Sequence, residues 1–221
     1  MEHIVRILEI KDVANRVKRF RLEKPDGYSF QPGQATDVVI NSAKWKNELR
    51  PFTFTCLPED PYLEFTIKRY PDHHGVTDAI HQLKTGDELI LHDVWGAIEY
   101  KGPGYFIAGG AGITPFLAIL RMLNHKNQID GNQLFFSNQT AADIICEEEL
   151  KKILGDKAMF ILTKEKKPPY PDGYIDHPFL QKHITDTSRH VYVCGPDKMV
   201  SDINAALEKI GVASDTVVFE K

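Results

Sequence analysis

Cysteine is scarce in this sequence, and long apolar runs, an export signal and a strong charge of either sign are missing. The cysteines, Cys56, Cys146 and Cys194, are odd in number and share no C-x-x-C spacing. That argues against a disulfide framework, a zinc site or an iron–sulfur cluster. No stretch approaches the ~18 apolar residues of a membrane-spanning helix. The opening Met1-Glu2-His3-Ile4-Val5-Arg6 has no basic region leading into an apolar one. A formal net charge of -4 gives no general attraction to nucleic acid or to an anionic membrane, so any partner must be met by local patches. The adjacent His73 and His74 lack a nearby cysteine or a paired carboxylate pattern, so no metal site is expected. These absences predict a protein of the reducing cytoplasm, neither exported nor embedded, with no nucleic-acid partner.

What is present is an ordinary globular composition, 42% hydrophobic and 26% charged, over a length that suits two modest cores better than one. Up to about residue 100 the pattern has period two. Leu63, Phe65 and Ile67 alternate with Glu64, Thr66 and Lys68, and Phe20 and Leu22 alternate with Arg19, Arg21 and Glu23. Turn signals at Pro25-Asp26-Gly27, Pro32-Gly33, Pro58-Glu59-Asp60-Pro61 and Thr85-Gly86-Asp87 suit a small antiparallel barrel, with one short helix near Val76 to Leu83. After Gly102-Pro103-Gly104 the pattern changes. Continuous apolar runs at 105–108, 134–136, 159–162, 191–194 and 216–219 are separated by helical spacing over 115–123, 147–154 and 198–210. Strands apolar on both faces and separated by helices predict a parallel sheet covered on both sides. The expected fold is therefore two-domain: an antiparallel β-barrel over 1–100, then an α/β parallel-sheet domain of nucleotide-binding type over 101–221.

The strongest local signal is Gly109-Gly110-Ala111-Gly112-Ile113-Thr114-Pro115, which follows an expected strand and opens an expected helix. Glycines let the backbone turn sharply and approach a pyrophosphate at the helix N-terminus, and Pro115 suits a first turn where no N–H is needed. Pro115 stands where a dinucleotide fingerprint has its third glycine, and a tight turn without a ligand is the alternative explanation. Cys194-Gly195-Pro196 ends the fourth apolar run, at the rim where parallel-sheet ligands bind. A small buried thiol before a Gly-Pro turn is its plainer explanation. In the first half, Arg50-Pro51-Phe52-Thr53 begins a strand whose alternation sends Arg50, Phe52 and Phe54 one way and Thr53 and Thr55 the other. Arginine suits phosphate, an aromatic ring suits a planar cofactor and a hydroxyl suits a ring nitrogen, while an amphipathic strand with a salt bridge explains the same letters. Gly75-Val76-Thr77 opens the short helix after a loop and offers a further phosphate-binding backbone.

Taken in order over essentially the whole chain, these four motifs resemble the ferredoxin-NADP reductase family. The resemblance implies a flavin-binding barrel followed by a dinucleotide-binding domain, with FAD and NAD(P)H as cofactors. It places Arg50 at the flavin phosphate, Phe52 on the isoalloxazine and Thr53 near its reactive nitrogen, with Pro51 among the cofactor-binding residues. Phe52 stands where relatives have tyrosine, keeping the ring without the hydroxyl. The backbone of Thr66, Ile67 and Lys68 is implied to line the flavin, Gly75, Val76 and Thr77 to clamp its pyrophosphate, and Phe219 to cover it. On the dinucleotide side it implies Gly110, Gly112, Thr114, Pro115, Cys194, Gly195 and Pro196, with Thr53 and Cys194 beside the reacting atoms. Ser137-Asn138-Gln139-Thr140 looks like the ribose site of NADH-using members, whereas Lys164, Lys166 and Lys167 offer charge for a 2'-phosphate.

The implied activity is hydride transfer from NAD(P)H to FAD and electron delivery to a separate carrier such as flavodoxin or ferredoxin. A reductase of an oxygenase or haem-protein system shares every motif, and a non-catalytic dinucleotide-binding regulatory subunit would share the fold. The basic residues of Val17 to Lys24 and the Gln181-Lys182-His183 segment are candidates for docking an acidic carrier.

Overall fold

The computed structural model describes residues 1–96 and 98–219, and of His73 the backbone only. The side chain of His73 and the last two residues of the expected second domain thus lie outside the described residues. The first half comprises β1 (His3–Ala14), β2 (Val17–Glu23), β3 (Ala35–Ile40), β4 (Arg50–Thr53), β5 (Tyr62–Lys68), the short helix α1 (Val76–Ile80) and β6 (Glu88–Trp95). The strands form one antiparallel sheet in the order β4-β3-β6-β1-β2-β5. A bridge from Phe54 to Phe65 joins its two edges, and the Thr55 N–H donates to the Glu64 carbonyl at 2.8 Å. Closure into a barrel leaves no exposed edge at that seam. The period-two pattern is what makes this possible, because Phe20, Leu22, Phe54, Leu63, Phe65 and Ile67 all point into one buried cluster. Phe54 stacks on Phe30 there with ring centroids 4.2 Å apart. Helix α1 adds Val76 and Ile80 to this core and stops at Ile80, short of the expected Leu83.

The second half alternates β7 (Gly104–Gly109), α2 (Thr114–His125), β8 (Gln133–Asn138), α3 (Glu147–Leu154), β9 (Ala158–Leu162), α4 (His177–His183), β10 (His190–Cys194), α5 (Asp197–Lys209) and β11 (Val217–Phe219). All of its strands are parallel, in the order β11-β10-β7-β8-β9. The unbroken apolar runs are explained by burial on both faces. Phe106, Ala108, Leu134 and Phe136 face a cluster with α2 and α3, and Tyr105, Ile107, Phe135 and Val193 face one with α4 and α5. Helix α4 was not expected from the sequence. It starts at Pro178's turn because Asp176 caps it, accepting from the Phe179 N–H at 3.0 Å.

Strand β7 is anchored at its start by Asn132, which is 3% exposed and accepts from the Gly104 N–H at 3.2 Å. Asn132→Ala strands that buried N–H and should cost about 1–3 kcal/mol. A lowered urea midpoint with unchanged slope is the expected reading.

The strand order has one consequence for function. After β9 the chain returns to the opposite side of β7 to lay down β10, so the order reverses between β7 and β10. The carboxyl ends of these two strands flank a topological switch point, where open α/β sheets bind ligands.

Candidate functional site

Both glycine-containing motifs of the second half converge on this switch point. Residues Gly110–Ile113 form a 3-10 turn running directly into α2, with Gly110 at a φ of 53°. The Thr114 hydroxyl donates to the Ala111 carbonyl at 3.0 Å, tightening the turn, and Pro115 lies in the first helical turn. At the end of β10, Cys194-Gly195-Pro196 packs against the same turn. A Cβ on Gly112 would overlap the Cys194 carbonyl oxygen and would lie 2.7 Å from the Gly195 nitrogen. A Cβ on Gly109 would meet Met199 and lie 3.0 Å from Pro196. The Gly112 contacts are with backbone atoms, an approach that only glycine permits, whereas those of Gly109 are with side chains.

The barrel reaches the same place through β5. The Lys68 Nζ lies 3.8 Å from where a Gly110 Cβ would stand. A cavity of about 950 Å³ runs from Lys68 and Tyr70 past Gly109–Ala111 to Ser137, Asn138, Tyr174 and Met199. A volume of this size suits a dinucleotide-sized ligand. Asn138 is 4% exposed, and its Oδ1 has no hydrogen-bond partner. A second cavity of about 520 Å³ lies beside Cys194, Gly195 and Phe219.

On the barrel side, the closing bridge sets Thr53 opposite Thr66 across the β4–β5 seam, and the Thr55 and Thr66 hydroxyls are 3.3 Å apart. The alternation of β4 is as expected, with Thr53 buried on one face while Phe52 packs against the barrel core on the other, 6.2 Å from Phe65. Ile67 and Val76 are each 1% exposed with their side chains in that core, so only their backbones can meet a cofactor. Arg50 is exposed at the start of β4. Its guanidinium donates to the Leu49 carbonyl at 2.6 Å and lies 3.5 Å from Glu48, which leaves donors for an anion. Gly75 precedes α1 in an extended conformation with no side chain capping the helix.

Two polar contacts tie these segments together. The His81 ring nitrogen Nε2 is 2.8 Å from the Ile67 carbonyl, and burial, aided by the charges of Lys18 and Arg69, holds its pKa below the ordinary value. The neutral ring therefore donates through Nε2–H, linking the end of α1 to β5. Arg69 pairs with Asp78 of α1 at 2.5 Å and makes a second link.

Not every expected residue reaches the cleft. Phe219 packs against the α/β core in register with Val193, which places it beside Cys194. Lys164, Lys166 and Lys167 do not line the large cavity, and Lys166 lies 3.5 Å from Asp172. The basic run of β2 is engaged internally: Lys18 donates to the His81 carbonyl, Lys24 to the Pro58 carbonyl, and Arg19 and Arg21 face Glu9 and Glu64. That segment presents little free charge for docking. Tyr70, Tyr174 and Met199 were not expected at the site; the only sequence signal was the Pro171-Asp172-Gly173 turn before Tyr174.

Residues 106–205 match the oxidoreductase NAD-binding domain family. The propane 2-monooxygenase reductase component of Rhodococcus jostii is 27% identical over 235 residues, covering 98% of this chain but 62% of its own length. Human NADH-cytochrome b5 reductase 2 is 26% identical over 255 residues, covering 96% of this chain and 91% of its own. The flavohem-like FAD/NAD-binding domain of a Vibrio cholerae nitric oxide dioxygenase superposes with a TM-score of 0.88 at 21% identity, over 98% of this chain and 97% of that one. A Neisseria gonorrhoeae ferredoxin NADP+ reductase, solved with FAD and NADP bound, gives 0.79 at 21% identity, over 95% and 92%. The chain shares the two-domain fold of these FAD- and dinucleotide-binding structures. In this fold the Lys68–Gly110 approach is where the barrel meets the dinucleotide-type domain, and of the expected barrel-side residues it is Lys68 that lines the large cavity.

Proposed function

We propose that this chain is an FAD-dependent oxidoreductase that takes hydride from NAD(P)H and passes electrons to a separate protein. The observation that carries the reading is the convergence at the switch point. Lys68 of the barrel stands over Gly110, and Gly112 is locked against Cys194 and Gly195. A bound nicotinamide supplies the hydride, and a bound flavin accepts it and can release electrons singly. The chain's own work is to bind, to align and to keep water out. Arg50 binds flavin phosphate, the backbone of Gly75, Val76 and Thr77 holds the pyrophosphate, and Pro51 and Phe52 set the ring against the barrel. Thr53 and Thr66 offer hydroxyls on the seam facing the α/β domain. The turn at Gly110, with Thr114 and Pro115, receives the dinucleotide phosphates beneath Lys68. Cys194, Gly195 and Pro196 wall the nicotinamide end, and Asn138 accepts from a ribose hydroxyl.

Similarity to a monooxygenase reductase component and to cytochrome b5 reductases supports an oxygenase component or a haem protein as the acceptor, alongside flavodoxin or ferredoxin. No helix among the described residues is long and apolar enough to cross a membrane.

The test is the visible spectrum of the purified protein, reconstituted with FAD and kept anaerobic, before and after NADH or NADPH. A flavin spectrum that bleaches with either supports the reading. Failure to retain FAD, or a spectrum unchanged by both, would leave the regulatory-subunit reading in its place. Arg50→Ala should weaken FAD retention at least about tenfold, the weight of a charge-assisted hydrogen bond. Undiminished FAD content after gel filtration would remove Arg50 from that role. Cys194→Ser should instead retain FAD and slow bleaching roughly tenfold, read by stopped flow.

A further inference from the structure

Arg121 lies on α2, away from every motif in the sequence, and it joins the two domains. It is 15% exposed, and each of its guanidinium nitrogens has a partner. Nη1 donates to the Glu64 carboxylate at 2.8 Å and to the Thr55 carbonyl, both in the barrel. Nε and Nη2 grip both oxygens of Glu149 on α3, at 2.6 and 2.8 Å. Glu64 is 2% exposed and is held in turn by Arg21 at 3.1 Å, Arg19 at 3.5 Å and the Thr55 hydroxyl at 3.1 Å.

The placement of these partners gives the contact its meaning. Glu64, Thr66 and Lys68 occupy alternate positions of β5 and so share one face. Glu64 meets Arg121 at one end of that face, and Lys68 meets Gly110 at the other. The separation along β5, at ~3.3 Å per residue, is about 13 Å. The separation from Gly110 to Arg121, mostly helical at ~1.5 Å per residue, is about 16 Å. The two rulers nearly match, so the turn at Gly110 and the α2 helix it opens lie along β5, with contacts at both ends and Thr66 between them. Thr55, whose carbonyl accepts from Arg121, is two residues from Thr53 on the adjacent strand. The segment that carries Thr53, strand β5 and the helix that follows the dinucleotide turn thus meet at one guanidinium.

We propose that Arg121, through Glu64 and the Thr55 carbonyl, is a positioning residue that fixes the barrel relative to the dinucleotide turn and so sets the alignment for hydride transfer. The inference rests on the reductase reading above. A purely structural role would lower stability without separating alignment from binding. Arg121→Lys keeps a charge but loses the planar fork that reaches three partners, and Glu64→Gln keeps shape but loses the charge. Each should retain FAD and the dinucleotide concentration giving half-maximal bleaching within about twofold, while the limiting rate falls at least about tenfold. Glu149→Gln leaves both barrel contacts in place and should stay within about twofold of the unmodified rate.

A second readout needs no cofactor. The Asn15 N–H donates across the interface to the Ala142 carbonyl at 2.8 Å. In apoprotein, its hydrogen exchange should quicken at least about tenfold in Arg121→Lys, while that of buried Phe65 stays unchanged. A limiting rate within twofold in either folded variant, or loss of rate only in proportion to lost FAD, overturns the proposal. If the variants do not retain FAD, unchanged Asn15 exchange in apoprotein overturns it. Unmodified protein that does not bleach refutes the reductase reading instead, and the exchange result still stands on its own.

Discussion

Gly112→Ala should retain FAD yet bleach at least about a hundredfold more slowly with NADH or NADPH. The added Cβ would overlap the Cys194 carbonyl oxygen, lie 2.5 Å from the Cys194 carbonyl carbon and lie 2.7 Å from the Gly195 nitrogen. All three are backbone atoms, so no side chain can swing aside. Either the turn at 110–113 or the end of β10 has to move, and both bound the cleft. Displacements near 1 Å at a reacting centre cost on the order of a hundredfold, whereas the overpacking itself costs only about 1–3 kcal/mol of stability. The barrel is untouched, so FAD content should hold. Gly96→Ala, where a Cβ meets nothing within 4 Å, is the matched control. Single-turnover rates of the two variants decide the matter: equal rates would mean that the contact between the two strand ends does not shape the dinucleotide site.

Glu64→Ala should cost about 3–5 kcal/mol, because it leaves buried guanidinium groups without the carboxylate they surround. Burial alone would raise the Glu64 pKa. The Arg121 charge and hydrogen bond, the Arg21 hydrogen bond and the Arg19 charge outweigh it, and the pKa is lowered from 4.5. A carboxylate with a depressed folded pKa contributes stability that is fully present above its unfolded value and is lost as pH falls through the folded one. The urea midpoint of the unmodified protein should therefore hold above pH 4.5 and fall below it. Glu64→Gln should show a lower plateau and a smaller acid-induced loss. If both titrate alike, other carboxylates govern the acid response.

Residues adjacent in sequence had announced themselves. Alternation over 63–68 marked β5, and unbroken apolar runs marked β7, β8 and β10, because burial on one face or two leaves a direct trace in residue order. The turn at Gly110–Pro115 was likewise readable, since its constraint is local. Helix α4 escaped notice because it is only seven residues long and carries one fully buried side chain, Leu180, too little for a periodic signal. Tyr70, Tyr174 and Met199 reach the cavity from separate segments, and no spacing in the chain relates them.

By itself the sequence determined the two-part architecture, the barrel-forming alternation and the strand-to-turn motifs, all of which depend on near neighbours along the chain. Only the tertiary structure decided that the strand order reverses between β7 and β10, bringing Gly112 against Cys194, and that closure of the barrel sets Thr53 across from Thr66. It also decided that Arg121 binds Glu64 fifty-seven residues away. Such contacts are selected by the packing of whole elements, and a guanidinium that joins two domains has the same letter as one that faces water.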